Sequence, residues 1–499
     1  NGDHHDPIGD AFHNGPLIGK DVVVPVANII GGPAYAGLGW KMLMEQLAGG
    51  RAVSLPAGAV GSMKAAAAVT GAYSMVRQQF GIPIGRMEGV EEKVGRISAL
   101  SYMCEGARIY ACSAVDNGIQ PPVTSAVLKA YTTELGRQLT IDAMDVFSGA
   151  GIMQGPNNIL GRAYAAAPVG VTVEGANIMT RTLMIFGQGA TRCHPYALNV
   201  VHAVERNDVP AFRKNLLGWI GHFLAGIARA TVHGLTRGLL VGVPDVAAPT
   251  RTYYRRLGWA AARFGLLTDL AMFTIGGKLK ARGKLTGRYA DAIAWMLLGF
   301  SALRRFEAEG RRKEDLPLVQ FSLDYALAEV QKAFEGIYRN FDAPVLGFLM
   351  RTVGAAWLRL NPLGHLPGDA LSHRAALTIQ SFNDQYRRLT AGVFAPAEDQ
   401  PAAGRLLKAF RLVTQAHEPA ERIIKAQRAK KLPRGYLPAE IADEALRQNL
   451  IDAGEAALLK QALAARMAAI EVDVFTPEQY FDSAATPTSR PEMKLVANA

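Results

Sequence analysis

Three short stretches carry residue types that could do chemistry. In Val171-Thr172-Val173-Glu174-Gly175-Ala176-Asn177, an acid stands just ahead of an expected helix start in an apolar run flanked by Pro168 and Gly170. A carboxylate there complements the positive end of the helix. It also has what a general base needs: apolar surroundings and nearby backbone N–H groups able to polarise a carbonyl. In Asp145-Val146-Phe147-Ser148-Gly149-Ala150-Gly151, a glycine-rich loop follows a helix. Backbone without side chains can approach a phosphate or a planar ring closely. The loop follows no strand, so it is not a dinucleotide fingerprint of the Rossmann kind. In Arg77-Gln78-Gln79-Phe80-Gly81, a guanidinium and an aromatic ring end a helix. The plain reading is an Arg complementing the helix dipole; the chemical one is a guanidinium on a phosphate with Phe80 against a ring.

Other candidates lack a partner. Asp3-His4-His5-Asp6 has no third spaced ligand and no metal is expected. His194 beside Cys193 shows no third group to orient it. Cys104 and Cys112, on one helix, read as core, as do Met42 and Met44. Arg304-Arg305 and Arg311-Arg312-Lys313 read as a solvated basic face or as a contact for an anionic membrane surface.

The elements that must position these groups are mostly helices. Asp21–Ile30 is a β-branched run broken by Pro25, as in an edge strand. From Gly37 to Gly189 apolar residues recur at helical spacing, with a break expected at Pro56. Glu88–Val115 puts Val94, Ile97, Leu100, Ala107, Ile109 and Ala111 near one another on a wheel. Thr124–Phe147 follows. A short helix over Asn158–Ala166 is expected to stop at Pro168, and a last one runs over about Ala176–Gly187. Long helices with short links describe a bundle. Residues 194–390 read as further helix, more basic and aromatic, and Ile441–Ile470 as a final one.

The 499 residues are 49% hydrophobic and 19% charged, which excludes a disordered chain. Three cysteines exclude a disulfide scaffold and make a reducing compartment the default, so a cytoplasmic chain is the expectation. The net charge of +11 favours acidic partners, yet no recognised nucleic-acid motif is present and no nucleic acid is expected. No uninterrupted apolar run reaches the ~18 residues of a membrane span. The best candidates, Leu216–Ala228 and Ala292–Leu303, are short enough to be core helices. The chain opens on Asn1 without a signal peptide and reads as a piece of something longer.

Taken together, the three stretches resemble the second half of an acyl-CoA dehydrogenase. GKDVVVPVANIIGG resembles the last strands of that family's middle β-domain. GWKMLMEQLAGGR through RQQFG resembles the start of its C-terminal four-helix domain. DVFSGAGI resembles the family's flavin loop and VEGANIMTR its Glu-Gly base motif. The later region, with FGQGATRCHPY and HGLTRGL, resembles the extra C-terminal domain of the long bacterial fatty-acid type. The implied fold is mainly α: residues 1–35 end a β-domain and 36–192 form the helical bundle. Residues 193–490 would form a second helical domain and 491–499 a tail.

The resemblance implies a FAD-dependent enzyme that turns medium- or long-chain acyl-CoA into trans-2-enoyl-CoA in β-oxidation. Glu174 would be the base, with Gly175 lining the thioester site and Arg51 at the base end of the acyl pocket. Arg77, Phe80 and Glu88 would contact FAD, and Asp145, Gly149 and Gly151 would meet the FAD of a partner subunit. Ala176 and Ile178 would touch flavin. It further implies a homodimer, an electron-transferring flavoprotein as acceptor, and contact with the inner membrane. The sequence departs from the family pattern at Val173, Ala176, Asp145 and Ser148, where a Tyr, a Thr, a Gln and a Gly are usual. A non-catalytic helical scaffold that kept the fold is the alternative.

Overall fold

The computed structural model describes residues 4–5, 7–8, 14–119, 122–400, 402–433 and 438–485. Asp3 and Asp6 lie outside them, as does the 491–499 tail. The described chain is almost all helix. The strand expected over Asp21–Ile30 does not form: it is exposed chain with a single 3-10 turn at Val26–Asn28. Pro25 removes a donor there, and no neighbouring strand accepts the rest.

The first helix, α1 (Gly39–Val76), runs unbroken through Pro56, where a break was expected. A two-residue antiparallel hairpin, β1 (Gln78–Gln79) with β2 (Ile82–Pro83), turns the chain into α2 (Glu88–Asp116). Then come α3 (Pro122–Phe147), the one-turn α4 (Gly149–Ile152) and α5 (Gly161–Thr172). α5 carries Pro168 inside it rather than stopping there. The short α6 (Asn177–Met179) leads into a π-helix over Thr180–Gln188 and α7 (Gly189–Cys193).

The second part begins with α8 (Ala197–Glu205), α9 (Val209–Leu235), α10 (Ala248–Thr274), α11 (Gly283–Ala308) and α12 (Leu316–Arg339). Shorter helices follow: α13 (Pro344–Leu349), α14 (Ala355–Leu360), α15 (Asp369–Leu377), α16 (Asp384–Leu389), α17 (Ala403–Gln415) and α18 (His417–Arg428). The expected last helix is two, α19 (Pro438–Arg447) and α20 (Ala453–Ile470), because Asp452 starts a new one with a capping box to Glu455. α21 (Pro477–Ala485) ends the described chain.

α2 is the hub. It packs on α1 and α3 on one side and on α11, α12 and α15 on the other. Val94, Ile97, Leu100, Ala107 and Ala111 are fully or almost fully buried, whereas Ile109 faces outward at 44% exposure. A helix enclosed on both sides must keep small residues where backbones cross. A Cβ on Gly95 would stand 2.6 Å from the Ser372 carbonyl oxygen, and one on Gly106 2.9 Å from that of Ser301. One hydrophobic cluster therefore runs from Val60 to Phe410. Asp291 of α11 is a polar tie across it, accepting from Tyr131 at 2.6 Å and from Arg181 Nε at 2.6 Å.

α1 also contains Gly49–Val76, the one stretch among the described residues long and apolar enough to cross a membrane. The bundle buries 44% of its most apolar window, where it packs on α2 and α3.

Candidate active site

Side-chain pairings give the helix directions. Arg51 meets Glu174 in the loop anchored by Lys129, Gly136 sits beside Ala59 and Met63, and Tyr73 stacks on Phe147 at 4.1 Å. Positions rise together along both helices, so α1 and α3 run parallel. Gly85, just ahead of α2, lies against Ser74, whereas Ser101 of α2 meets Met63; positions fall on α1 as they rise on α2, so α2 is antiparallel to α1. The predicted site residues fall at the two ends of this frame.

At the first end lies the loop between α5 and α6. Glu174 holds φ = 53° and Gly175 φ = 94°. A non-glycine residue in the left-handed region is strained, by about 1 kcal/mol or more, and persists only where its surroundings hold it. Here they do. Arg51 Nε donates to the Glu174 carbonyl oxygen at 2.9 Å. The Lys129 ammonium donates to Val171 O at 3.2 Å, Gly175 O at 2.8 Å and Asn177 Oδ1 at 2.8 Å. Asn177 in turn donates to Ala130 O and Thr133 Oγ1, and Thr180 Oγ1 to Gly175 O. The carboxyl points away from this web: Glu174 Oε2 is buried and has no hydrogen-bond partner among the described residues. A Cβ on Gly50 would stand 3.4 Å from Glu174 Oε1, ordinary van der Waals contact, so the carboxyl lies against α1 at this glycine.

The electrostatics follow from burial. Lys129 is fully enclosed and its pKa is drawn down to about 8, chiefly by desolvation; the Glu174 charge opposes that fall and Arg51 adds to it. Arg51 is 4% exposed, and burial lowers its guanidinium too, against the pull of Glu174. The carboxyl keeps one buried oxygen free of hydrogen bonds, while the two cations near it bond backbone carbonyls and Asn177 rather than the carboxyl itself. Ala176 and Ile178 stand beside it on the outside, Ile178 at 82% exposure.

At the far end, Arg77, Tyr73, Asp145, Ser148, Gly149 and Ala150 line a groove of about 620 Å³. Phe80 projects almost wholly into solvent at 93% exposure, with φ = 53°. Ser148 also turns through a positive φ, and the expected glycine loop is in fact that turn followed by α4. Gly149 has open space where a Cβ would go, while Gly151 is packed on Met144 and Phe147. Asp145 does not stand as a bare acid: Lys93 pairs with it at 2.9 Å. Ile470 and Val472 complete the groove, and sequence patterning gave no sign of them. Glu88 is not brought to this groove. It is exposed and lines a separate acidic cleft with Glu91, Glu92 and His373, because α2 turns its first residue the other way.

From Arg51 to Arg77 along α1 is about 39 Å at the usual helical rise. The groove and the Glu174 loop are two separate places on one protomer.

Two site residues escaped the sequence reading. Lys129 looked like an ordinary helix lysine; its signal was a charge amid Val127, Leu128, Ala130 and Tyr131, a run otherwise apolar. Asp269 is the other. His194 Nε2 lies 2.9 Å from Asp269 Oδ1, so the orienting group lacking near His194 comes from α10, 75 residues away. His194, His222 and Asp269 place their ligand-type atoms within 4.8 Å of one another. They are not poised as a metal set, however. His194 Nδ1 accepts from the backbone N–H of Tyr196 and Ala197, so the ring proton sits on Nε2 and is donated to Asp269.

Comparison with known proteins completes the picture. Residues 191–475 match the family model "Acyl-CoA dehydrogenase, C-terminal, bacterial type", and residues 37–186 match "Acyl-CoA dehydrogenase, C-terminal domain". The chain belongs to the acyl-CoA dehydrogenase family, and within it to the bacterial C-terminal type. Over 138 residues it is 30% identical to a short-chain specific acyl-CoA dehydrogenase of Megasphaera elsdenii, 27% of this chain and 34% of that one. Over 71 residues it is 52% identical to Protein HemX of Proteus mirabilis, 14% of this chain and 42% of that one. The chain thus spans less than half the length of these curated relatives. A crystal structure of an acyl-CoA dehydrogenase complexed with FAD, from Bacillus anthracis, shares the fold at a TM-score of 0.51 and 17% identity. That alignment covers 67% of this chain and 56% of the other.

Proposed function

We propose that this chain carries the base-bearing half of a FAD-dependent acyl-CoA dehydrogenase acting on medium- or long-chain acyl-CoA in β-oxidation. The observation that carries it is the Glu174 carboxyl: buried at one oxygen, unpaired, and held at a strained backbone position by Arg51 and Lys129. A solvated surface acid has no need of such a setting.

In this reading Glu174 takes the proton from the carbon next to the thioester carbonyl. Removing it builds negative charge on the carbonyl oxygen, which the backbone amides around Glu174 and Gly175 stabilise. Arg51, bonded to the Glu174 carbonyl, fixes the loop from the α1 side, and Gly175 would line the thioester site beside it. FAD, when bound, supplies the acceptor for the hydride leaving the β-carbon. Ala176 and Ile178, exposed beside the base, are the residues that would meet its ring.

The far groove fits part of the same cofactor in kind, with a guanidinium (Arg77) and open backbone at Gly149, while the exposed Phe80 ring stands outside it, three residues beyond Arg77. Asp145, neutralised by Lys93, does not repel a phosphate as a bare acid would. The two ends lie further apart than an extended dinucleotide reaches. This supports a homodimer in which the groove of one protomer serves the flavin whose ring lies at the base of another. An electron-transferring flavoprotein as acceptor is proposed on the family resemblance alone. Contact with the inner membrane from the cytoplasmic side is supported by the outward face of α9, where Leu217, Leu224 and Leu235 are exposed beside Arg213 and Lys214.

The test is Glu174→Gln in protein loaded with FAD and mixed anaerobically with palmitoyl-CoA. The flavin band near ~450 nm is expected to bleach in the wild type and persist in the variant. Bleaching in both removes Glu174 as the base. A bound flavin reduced in neither favours the scaffold alternative.

A further inference from the structure

Lys129 has a role the base motif does not describe. An ammonium offers three donors and no acceptor. All three are used, and all three go to the Glu174 loop: Val171 O, Gly175 O and Asn177 Oδ1. Two of these acceptors are backbone carbonyls on either side of Glu174, and the third belongs to the residue that opens α6. Nothing else on α3 binds them. Asn177, so held, clamps back onto α3 through Ala130 O and Thr133 Oγ1. The result is a closed ring of bonds between one turn of α3 and one strained loop.

The cost of this arrangement argues for a purpose. Lysine is among the residues least often found fully buried, and a buried ammonium gives up strong hydration. A polar side chain of lower cost could cap two carbonyls. Only a cation also attracts the carboxylate between them, and Lys129 is electrostatically coupled to Glu174 without hydrogen-bonding it. Arg51 acts on the same loop from the α1 side, through the Glu174 carbonyl. The loop is thus pinned from two helices while the carboxyl stays free of both.

We propose that Lys129 is the positioning residue for Glu174, tying the carbonyls that flank it so that the carboxyl leaves the strained backbone in one fixed direction. This rests on the reading of Glu174 as the base; the geometric part stands on the loop alone. Lys129 itself touches no reacting atom.

The experiment is hydrogen–deuterium exchange on the full chain, comparing wild type, Lys129→Met and Glu174→Gln. Lys129→Met keeps the length and removes the donors. The amides of residues 172–180 are expected to exchange about tenfold faster or more in Lys129→Met, while those of 97–107 in α2 keep their protection. Glu174→Gln is expected to leave both segments as in the wild type. An unchanged 172–180 segment in Lys129→Met overturns the proposal. So does an equal loosening of α2, which would make Lys129 a general prop of the bundle. If Lys129→Met does not fold, Lys129→Leu, which also removes every donor on a shorter apolar side chain, is read the same way.

A kinetic arm separates this proposal from the base assignment. In FAD-loaded protein with palmitoyl-CoA, Lys129→Met is expected to lower kcat about tenfold or more with KM within about twofold, as for a misplaced base. A rise in KM with kcat unchanged overturns the positioning role. If Glu174→Gln itself keeps full turnover, the base assignment fails, and the exchange result still decides whether Lys129 holds the loop.

Discussion

Arg51 Nε donates to the backbone carbonyl of Glu174 at 2.9 Å, across 123 residues of sequence. The bond ties α1 to a loop whose own backbone is strained, and it uses the guanidinium for a carbonyl rather than for the neighbouring carboxyl. Replacing Arg51 by Lys keeps a positive charge but loses the donor set back along the side chain, since Lys carries its only donors at the tip. The expected outcome is a fall in kcat/KM of about tenfold to a hundredfold, because a small misplacement of a reacting group is costly. Steady-state kinetics with palmitoyl-CoA in FAD-loaded protein check it. Unchanged kinetics would assign the loop's geometry to other bonds.

Asp142 carries a second load. It is fully buried on α3 and accepts from Arg96 Nε at 2.7 Å, from Arg96 Nη2 at 2.6 Å and from Lys93 at 3.0 Å. Arg96 and Lys93 are part-exposed and Lys93 keeps Asp145, so water and that pair compensate much of the loss. Asp142→Ala is expected to destabilise the protein by about 1–3 kcal/mol. Because Lys93 also neutralises Asp145, it should loosen the groove at Arg77 as well. Urea unfolding measures the first effect; a loss near zero would show that Arg96 and Lys93 find water instead.

The same geometry shows what the sequence could and could not disclose. Helical spacing and the Glu174, Arg77 and glycine-loop stretches were readable because each is local: period, turn residue and charge sit within a few positions. Pro56 and Pro168 misled for the opposite reason. A proline removes one hydrogen bond from a helix, and tertiary packing of α1 and α5 outweighs that loss. Asp21–Ile30 has strand-forming residues, but a strand needs a partner, and no described neighbour provides one. Lys129 and Asp269 were hidden because what matters is which loop or ring they meet, 46 and 75 residues away.

Gly71 gives a direct test of how α1 is seated on the second part of the chain. A Cβ there would stand 2.3 Å from the Ile379 carbonyl oxygen, which is backbone and cannot swing aside. Alanine favours a helix over glycine by about 1 kcal/mol, yet overpacking a closed contact costs about 1–3 kcal/mol or more. Gly71→Ala is therefore expected to be net destabilising, with the loss seen in the thermal midpoint. A gain in stability would mean that the segment around Ile379 moves freely off α1.

Lys129 also predicts how stability depends on pH. Its folded pKa is about 8, drawn down first by burial, against about 10.4 for an unfolded lysine. Below pH 8 both states hold the proton and the cost of burying the charge is fully present. Between about pH 8 and 10.4 the folded state has released it while the unfolded state has not. The unfolded state then binds more protons, so this residue's contribution to stability rises with pH. Urea unfolding of wild type and Lys129→Met at pH 7, 8, 9 and 10 should show the wild type gaining on the variant as pH rises. A constant difference would place the lysine's titration outside that window.

The Asp269 cluster makes the sharpest contrast between two chemistries. Asp269 is 1% exposed; its Oδ1 accepts from His194 Nε2 and from Trp219 Nε1 at 2.8 Å, while Oδ2 has no hydrogen-bond partner among the described residues and lies 3.8 Å from His222 Nε2. If the group is a hydrogen-bonded strut between α9, α10 and the residues before α8, only Oδ1 matters. Asp269→Asn, which keeps that oxygen, should then cost less than about 1 kcal/mol, and Asp269→Ala, which orphans two buried donors, about 2–4 kcal/mol. Neither Zn²⁺ nor a chelator should move the thermal midpoint, because the His194 proton occupies the direction a metal would need. A metal set predicts the reverse: Asp269→Asn would remove a charged ligand, and Zn²⁺ at a hundredfold excess over its Kd would add about 2.7 kcal/mol to the wild type. Thermal melts of the three proteins with and without Zn²⁺ separate the two, and a rise confined to the wild type would replace the strut by a metal centre.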